Sequence, residues 1–264
     1  MIDKCLGQLP SWKKFLWDIN QLQNPQPKFI EVDLTNYCNK NCTWCVSEET
    51  RKQKPLNMDP NIFSDCLDYA CAQQLGIVFT GGGEPTLHPK FREYCQNVID
   101  LVHDKQIPQM GLITNGGKDF SDVEWYLQNT VDPPAWIRIS VNYWAIPNKL
   151  KELLTNFPNR IGLSIIYNEY DYHQSNAAKF NNEYLSENFK PKFIRIKPCH
   201  DFGHPTIHPL DCQARKFVKI YETDGKEPYC CLARGLNGQP PKVCPSGCPW
   251  NVNIKDAWKY NPFS

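Results

Sequence analysis

The sequence predicts an α/β protein in which six βα units build a parallel sheet and a small cysteine-rich extension follows. Short apolar, β-branched runs alternate with helical patterns between residues 29 and 198, an order of elements typical of a parallel sheet. Beyond Lys197 the composition changes to Pro, Gly, Cys and His, with little periodic apolar pattern. We therefore divide the chain into an N-terminal helical segment (1–28), the βα domain (29–198) and the extension (199–264).

Six strands are predicted where apolar and β-branched residues cluster, at 29–34, 77–80, 110–114, 137–141, 162–166 and 193–196. Apolar residues at helical spacing predict helices near 59–70, 91–102, 120–127, 150–154 and 175–185, and a further helix over 9–22. Asp59 and Pro60 are the residue types of an N-cap and a first helical position. The extension contains one strand-like run, at 217–221.

Charge and hydropathy exclude several classes of function. Lys plus Arg number 29 against 28 Asp plus Glu, so the net charge of +1 supplies no long-range field for attracting nucleic acid or an anionic membrane. Nucleic acid is therefore disfavoured as the main partner. The apolar stretches are only strand-length, and the first ten residues lack the apolar core of a signal peptide. We expect no membrane association and a cytoplasmic location.

Thirteen cysteines in such a chain indicate metal ligands, nucleophiles or core residues, because cytosolic thiols stay reduced, and their clustering in two groups favours two metal sites. Cys38, Cys42 and Cys45 form a CxxxCxxC motif directly after the first predicted strand, too close together for core packing. Three ligands from one loop leave a fourth coordination position open, as catalytic metal sites do. A structural zinc site is the alternative, but Cys66 and Cys71, the nearest further ligands, lie on a predicted helix.

This motif, with Trp44 before its last cysteine, resembles that of the radical SAM superfamily. The resemblance covers residues 29–198 and implies a partial (β/α)6 TIM-like barrel. It implies that Cys38, Cys42 and Cys45 are the catalytic residues and hold a [4Fe–4S] cluster whose open iron binds S-adenosylmethionine (SAM). The implied enzyme splits SAM reductively into methionine and a 5′-deoxyadenosyl radical, with electrons from a flavodoxin or ferredoxin-type donor.

Further motifs of that family follow the next strands. The segment after the second strand resembles the family's glycine-rich motif, which meets the SAM amino group. It consists of Gly81, Gly82, Gly83 and Glu84. Polar side chains that the family places on the ribose and carboxylate of SAM are matched by Thr114, Asn115, Ser140 and Asn142. Because the carboxyl ends of the strands of a βα barrel share one rim, we expect these residues and Trp44 to gather there as a SAM site.

A second cysteine group lies in the extension, where a metal would supply the cross-links that the weak apolar pattern cannot. Twelve residues separate Cys212 from Gly225 and four separate Gly225 from Cys230, a spacing that resembles the SPASM and Twitch extensions of radical SAM enzymes. The resemblance implies a second, auxiliary [4Fe–4S] cluster held by Cys212, Cys230, Cys244 and Cys248. A zinc site with four cysteine ligands is the competing interpretation, since spacing alone seldom separates zinc from iron–sulfur.

These interpretations favour an oxidoreductase-type radical SAM enzyme whose 5′-deoxyadenosyl radical abstracts hydrogen from a small-molecule or peptide substrate. The auxiliary cluster would accept an electron from the substrate radical or anchor the substrate, so oxidation, dehydrogenation or cross-link formation is the expected outcome. Two alternatives stay open. One is a radical SAM activating or methyl-transferring enzyme, and the other, from a different class, is a non-catalytic zinc module that binds a partner protein.

Overall fold

The structure, a computed structural model, describes residues 28–42, 45, 47, 50, 53–141, 147–167, 189–198, 201–206, 218–228 and 244–246 of the 264-residue chain. The predicted N-terminal helical segment (1–28) lies outside these residues except for its last position. The predicted helix over 175–185 and most of the extension also lie outside them. What the structure describes is therefore chiefly the βα domain.

A seven-stranded parallel sheet forms the centre of the described molecule. Its strands, in chain order, are β1 (Phe29–Val32), β2 (Gly76–Phe79), β3 (Met110–Thr114), β4 (Ala135–Ser140), β5 (Ile161–Tyr167), β6 (Phe193–Pro198) and β8 (Val218–Tyr221). Their order across the sheet is β6-β5-β4-β3-β2-β1-β8. All six strands predicted for the domain are present, and the α/β partial barrel is confirmed.

Four helices connect the strands within the described ranges: α1 (Pro60–Gln73), α2 (Phe91–His103), α3 (Ser121–Asn129) and α4 (Asn148–Asn156). The α1 cap is as predicted, because the Asp59 carboxylate accepts a hydrogen bond from the Asn61 N–H at 2.8 Å and Pro60 occupies the first turn. None of the helices in the described part of the chain is long and apolar enough to cross a bilayer.

The core lies between the sheet and these helices. Along β4 the residues alternate, with Ala135, Ile137 and Ile139 buried in the core and the intervening residues only partly buried on the other face. Cys66 on α1 and Cys95 on α2 are both fully buried in this core. Burial raises the pKa of the Cys66 thiol to about 12, so this side chain stays protonated and acts as a small apolar residue.

The strand predicted over 217–221 is present as β8, but it belongs to the barrel sheet. Val218–Tyr221 pairs in parallel with β1, with Val32 opposite Tyr221. Hydropathy shows that a segment is extended but not which strand it pairs with, so nothing in the sequence indicates this neighbour. Segment 199–264 also forms a separate antiparallel pair, β7 (Asp201–Thr206) with β9 (Cys244–Ser246).

Candidate active site

The carboxyl ends of β1, β2, β3 and β4 lie side by side, because these strands are parallel neighbours. Three loops leave the sheet at this rim. The loop after β1 carries the CxxxCxxC motif, the loop after β2 carries Gly81–Glu84, and the loop after β3 carries Asn115–Gly117. The three motifs therefore lie together at one rim of the sheet.

Cys38, Cys42 and Cys45 are half-buried thiols that form no disulfide. A turn links the last two, because the Cys45 N–H donates to the Cys42 carbonyl at 3.2 Å. The Cys38 sulfur accepts a hydrogen bond from the Lys40 N–H at 3.4 Å. Trp44, the aromatic residue of the motif, lies outside the described residues.

Asn36 anchors the loop that carries the cysteines. It is buried, and its side chain accepts from the Leu56 N–H at 2.7 Å and donates to the Lys54 carbonyl at 2.9 Å. Its backbone N–H donates to the Leu56 carbonyl at 3.1 Å. Asn36 thus joins the two ends of the loop below the three cysteines, which limits where the thiols can lie.

The glycines after β2 allow this loop to pack against the cysteine loop. A Cβ on Gly83 would overlap the Tyr37 carbonyl oxygen and approach the Asn36 carbonyl carbon to 2.7 Å. Gly81 has φ of 81°, a conformation that L side chains rarely adopt. The Glu84 N–H then donates to the Tyr37 carbonyl at 2.8 Å. Glycine is required here by the neighbouring backbone of the protein itself.

Glu84 is fully buried at the rim, and both its carboxylate oxygens accept hydrogen bonds. Oε1 accepts from the Thr86 N–H at 3.2 Å, the Thr86 hydroxyl at 2.7 Å and the Thr114 hydroxyl at 2.5 Å. Oε2 accepts from the Asn115 N–H at 2.6 Å. Burial raises the pKa of Glu84, and the four donors oppose that rise. The carboxylate fixes the end of β3 relative to the end of β2.

Asn115 connects this network to the cysteines. Its side-chain Nδ2 lies 3.5 Å from the Cys38 sulfur and 3.1 Å from Asn39 Oδ1. In return, Asn39 Nδ2 donates to the Gly117 carbonyl at 2.5 Å. The glycine-rich motif, the β3 end and the cysteine motif are therefore linked by one continuous chain of hydrogen bonds.

Ser140 and Asn142 were the residues predicted from the fourth strand. Ser140 is the last residue of β4 and is partly buried on the sheet face opposite the helices. It pairs in register with Ser164 of β5, whose carbonyl accepts from the Val141 N–H at 2.8 Å. Asn142 lies outside the described residues. Ser140 is thus at the rim, one strand further from the cysteine loop than Thr114 and Asn115.

The second cysteine group falls almost wholly outside the described residues. Cys212, Cys230 and Cys248 are not among them, and only the backbone of Cys244 is described, as the first residue of β9. There it pairs with Thr206 of β7. The auxiliary site stays a prediction.

The donor set of the first motif fits an iron–sulfur cluster in its chemistry. Three thiols on one half-buried loop are the ligands such clusters take from proteins. Within the described ranges, no group of three His, Cys, Asp or Glu side chains is arranged to hold a single metal ion. The three thiolates of a [4Fe–4S] cluster bind different irons and need not converge on one point.

Sequence reasoning missed three residues of the site: Asn36, Asn39 and Thr86. Each is polar and acts through contacts with another loop or with the buried carboxylate. The signal available was the density of asparagine around the cysteine motif, at 36, 39 and 41, since asparagine in loops commonly bonds to backbone groups. That signal alone did not identify the partners.

Comparisons with known proteins show which family and which relatives the chain is similar to. The family model of the Radical SAM superfamily matches residues 32–186. A probable GTP 3′,8-cyclase from Methanococcus aeolicus is 28% identical over 98 residues, which are 37% of this chain and 32% of that protein. The tungsten-containing aldehyde ferredoxin oxidoreductase cofactor-modifying protein of Pyrococcus furiosus is 31% identical over 91 residues, 34% of this chain and 24% of that protein. The matches thus span a third or less of these relatives.

Two solved structures share the fold. BtrN in complex with AdoMet and 2-DOIA is 16% identical, with 90% of this chain and 85% of that chain covered and a TM-score of 0.51. SuiB of Streptococcus suis bound to S-adenosylmethionine is 13% identical, with 98% and 70% covered and a TM-score of 0.55. At these identities the likeness concerns the fold.

Proposed function

The chain belongs to the radical SAM superfamily, and on that premise we propose that it reductively cleaves SAM at a [4Fe–4S] cluster held by Cys38, Cys42 and Cys45. The observation that carries the proposal is the chain of hydrogen bonds from Glu84 through Asn115 to the Cys38 sulfur. It links the cysteine motif to two other motifs on the barrel rim.

When bound and reduced, the cluster would supply the electron that splits SAM into methionine and a 5′-deoxyadenosyl radical. The residues of this chain hold and orient the reactants. Cys38, Cys42 and Cys45 would hold the cluster through their thiolates. Asn36 holds together the two ends of the loop that carries these cysteines, through its bond to Leu56. Glu84 holds the loop after β2 against the start of the loop after β3, through its bond to the Asn115 N–H.

We propose that SAM lies over the ends of β2, β3 and β4. The backbone carbonyl groups of Gly81–Gly83 are the proposed acceptors for the SAM amino group, as the resemblance of this segment to the glycine-rich motif of the family implies. Ser140 and Asn142 provide side-chain hydrogen bonds to the ribose or carboxylate. The carboxylate of Glu84 accepts a hydrogen bond from the hydroxyl of Thr114. These two side chains would therefore support the SAM site indirectly, by positioning the protein backbone at the ends of β2 and β3.

We propose hydrogen abstraction from a small-molecule or peptide substrate, followed by oxidation, dehydrogenation or cross-link formation. The relatives named for GTP cyclisation and for cofactor modification favour the small molecule. The part of the sheet around β4 that faces away from the helices would receive it, because Trp136, Arg138 and Ser140 are only partly buried there. A flavodoxin or ferredoxin-type protein is the proposed electron donor.

The proposed auxiliary [4Fe–4S] cluster is held by Cys212, Cys230, Cys244 and Cys248, in a Twitch-like or SPASM-like extension. When bound, it would supply a site for the electron that remains after hydrogen abstraction, which zinc cannot do because zinc has no redox chemistry. Support comes from the weak apolar pattern of residues 199–264, a segment that needs a cross-link.

The test is anaerobic reconstitution of the full chain, reduction with dithionite and measurement of 5′-deoxyadenosine and methionine. The wild-type protein is expected to form both products in equal amounts. A variant with Cys38, Cys42 and Cys45 all replaced by alanine is expected to form neither, while keeping the metal of the second site. Undiminished product in the triple variant would contradict the proposal.

A further inference from the structure

The side-chain amide of Asn115 is held in one orientation. Its Oδ1 accepts from the Gly117 N–H at 3.1 Å, so the NH2 group must face the other way. The two directions in which that group can donate lead to Asn39 Oδ1 at 3.1 Å and to the Cys38 sulfur at 3.5 Å. Rotating the amide by 180° would place its NH2 group against the Gly117 N–H.

The backbone of Asn115 is fixed as firmly as its side chain. Its N–H donates to the buried Glu84 Oε2 at 2.6 Å, and the preceding residue, Thr114, donates its hydroxyl to Oε1 of the same carboxylate. The Thr114 hydroxyl also accepts from the Gly116 N–H at 2.9 Å. Because both the backbone and the side-chain oxygen of Asn115 are already hydrogen-bonded, directing its NH2 group at the Cys38 sulfur costs no additional side-chain entropy.

An N–H directed at a cysteine sulfur has a definite electrostatic effect. Hydrogen bonds to the sulfurs are among the factors that set the reduction potential of an iron–sulfur cluster. Because the reduced cluster carries one more negative charge, a donor stabilises it more than the oxidised cluster. Such a donor therefore raises the potential.

We propose that Asn115 is a positioning residue that holds Cys38 and raises the reduction potential of the cluster that this cysteine ligates. The inference rests on the proposed function. It departs from the direct SAM contact expected for Asn115, because both N–H groups of the amide are already directed at protein atoms. Asn39 is the brace that keeps the Asn115 amide in place, through its own bond to the Gly117 carbonyl.

The experiment is an anaerobic redox titration of the reconstituted full-length protein without SAM, with the reduced cluster followed by electron paramagnetic resonance. The auxiliary cysteines are replaced in all samples, so that only one cluster titrates. Asn115→Ala and Asn115→Asp are both expected to lower the midpoint potential, and Asp lowers it more because it adds a negative charge. We expect about a tenfold change in the reduction equilibrium for Asn115→Ala, about 59 mV for a one-electron couple.

Asn39→Ala is the matched control, because it removes the brace but keeps the N–H that faces Cys38. Its potential is expected to lie closer to wild type than that of Asn115→Ala. Unchanged potentials in both Asn115 variants, with wild-type iron content, would overturn the inference and leave the proposed function standing. Absence of a cluster or of 5′-deoxyadenosine in the wild-type protein would overturn both.

A measurement on the wild-type protein covers the case in which the Asn115 variants fail to assemble a cluster. Asparagine labelled with 15N in its side chain is incorporated into the protein that keeps Asn115 and lacks the auxiliary cysteines, and hyperfine spectroscopy of its single reduced cluster is recorded. A coupled 15N nucleus is expected in the wild type and in Asn39→Ala. Absence of that coupling in the wild type would also overturn the inference.

Discussion

The hydroxyl of Thr114 donates a hydrogen bond to Glu84 Oε1 at 2.5 Å, and both residues are buried. The two lie at the ends of neighbouring strands, β2 and β3, in two different motifs of the sequence. Their bond joins the loop after β2 to the last residue of β3. The stability of the rim therefore depends on this carboxylate, and so would the SAM site of the proposed function.

Glu84→Gln is expected to destabilise the protein by about 1–3 kcal/mol, because the new NH2 group meets a hydrogen-bond donor wherever it points. Chemical denaturation of the apoprotein measures this loss. Glu93→Gln on α2 is the matched control, since that side chain is 55% exposed and is expected to lose almost nothing. Equal stabilities of the two variants would contradict the buried role of Glu84.

Gly83→Ala and Gly82→Ala are expected to differ sharply. A Cβ on Gly83 overlaps the backbone of residues 35–37, which cannot move without moving the cysteine loop. A Cβ on Gly82 meets the Asp33 carboxylate oxygen at 3.2 Å, which a small side-chain shift relieves. Iron content after reconstitution is expected to fall in Gly83→Ala and to stay near wild type in Gly82→Ala. Equal iron content in the two would show that the loops can separate freely.

Ser140→Ala and Asn142→Ala are each expected to weaken SAM binding by about 1 kcal/mol or more, through loss of one hydrogen bond to the ribose or carboxylate. Iron content is expected to stay unchanged. Equilibrium dialysis with labelled SAM measures the affinity. Unaltered affinity in both variants would remove the end of β4 from the proposed SAM site.

Protonation of His88 is expected to cost stability at mildly acidic pH. Burial lowers the pKa of this histidine, which stacks on Tyr94 with 4.9 Å between ring centroids, although a hydrogen bond to the Met58 carbonyl opposes the shift. The unfolded chain therefore takes up the proton first. The stability that His88 contributes is complete above its unfolded pKa of about 6.5 and is lost as the pH falls through the folded pKa.

Unfolding free energies of the apoprotein between pH 7.5 and pH 5 test this, with His88→Asn as the variant. Asparagine retains an acceptor for the Lys90 N–H, which donates to the His88 ring at 3.1 Å, but it does not titrate. We expect a weaker pH dependence in His88→Asn than in wild type. His103→Asn, at a side chain that is 87% exposed, is expected to follow wild type. Parallel pH curves for all three proteins would contradict the prediction.

The auxiliary cysteines are expected to bring the reconstituted protein to about eight irons per chain, four for each [4Fe–4S] cluster. Replacing Cys212, Cys230, Cys244 and Cys248 by alanine is expected to reduce this to about four. Metal analysis by mass spectrometry measures both metals. Four irons and one zinc per chain in the wild type would show that the second site is a structural zinc site and would contradict the auxiliary cluster.

The helices and strands whose apolar residues recur at a regular spacing could be predicted from the sequence. Strand 110–114 was located to the residue, and four helices were found, because apolar periodicity reports burial against a sheet. The cysteine, glycine and asparagine motifs lie on one rim, as their position after successive parallel strands leads one to expect.

The contacts between loops could not be predicted in the same way. That Asn36 would bond to residues 54 and 56, or Asn115 to Cys38, depends on how two loops meet in space. The pairing of Val218–Tyr221 with β1 was missed for a related reason, because nothing in a short apolar run specifies a partner far away in the chain. The sequence motif also does not indicate that the Glu84 side chain is buried, because burial depends on the packing of neighbouring loops.

The pairing of Val32 with Tyr221 also has a consequence for the order of events during synthesis. These residues are 189 positions apart (221 minus 32), so a ribosome adding about 5–20 residues per second needs roughly 10 to 40 s between them. For that time one edge of β1 lacks its final neighbour and is open to pairing with other strands. The cysteine loop begins just beyond β1. Iron loaded during this interval would enter a loop whose supporting strand is paired on one side only.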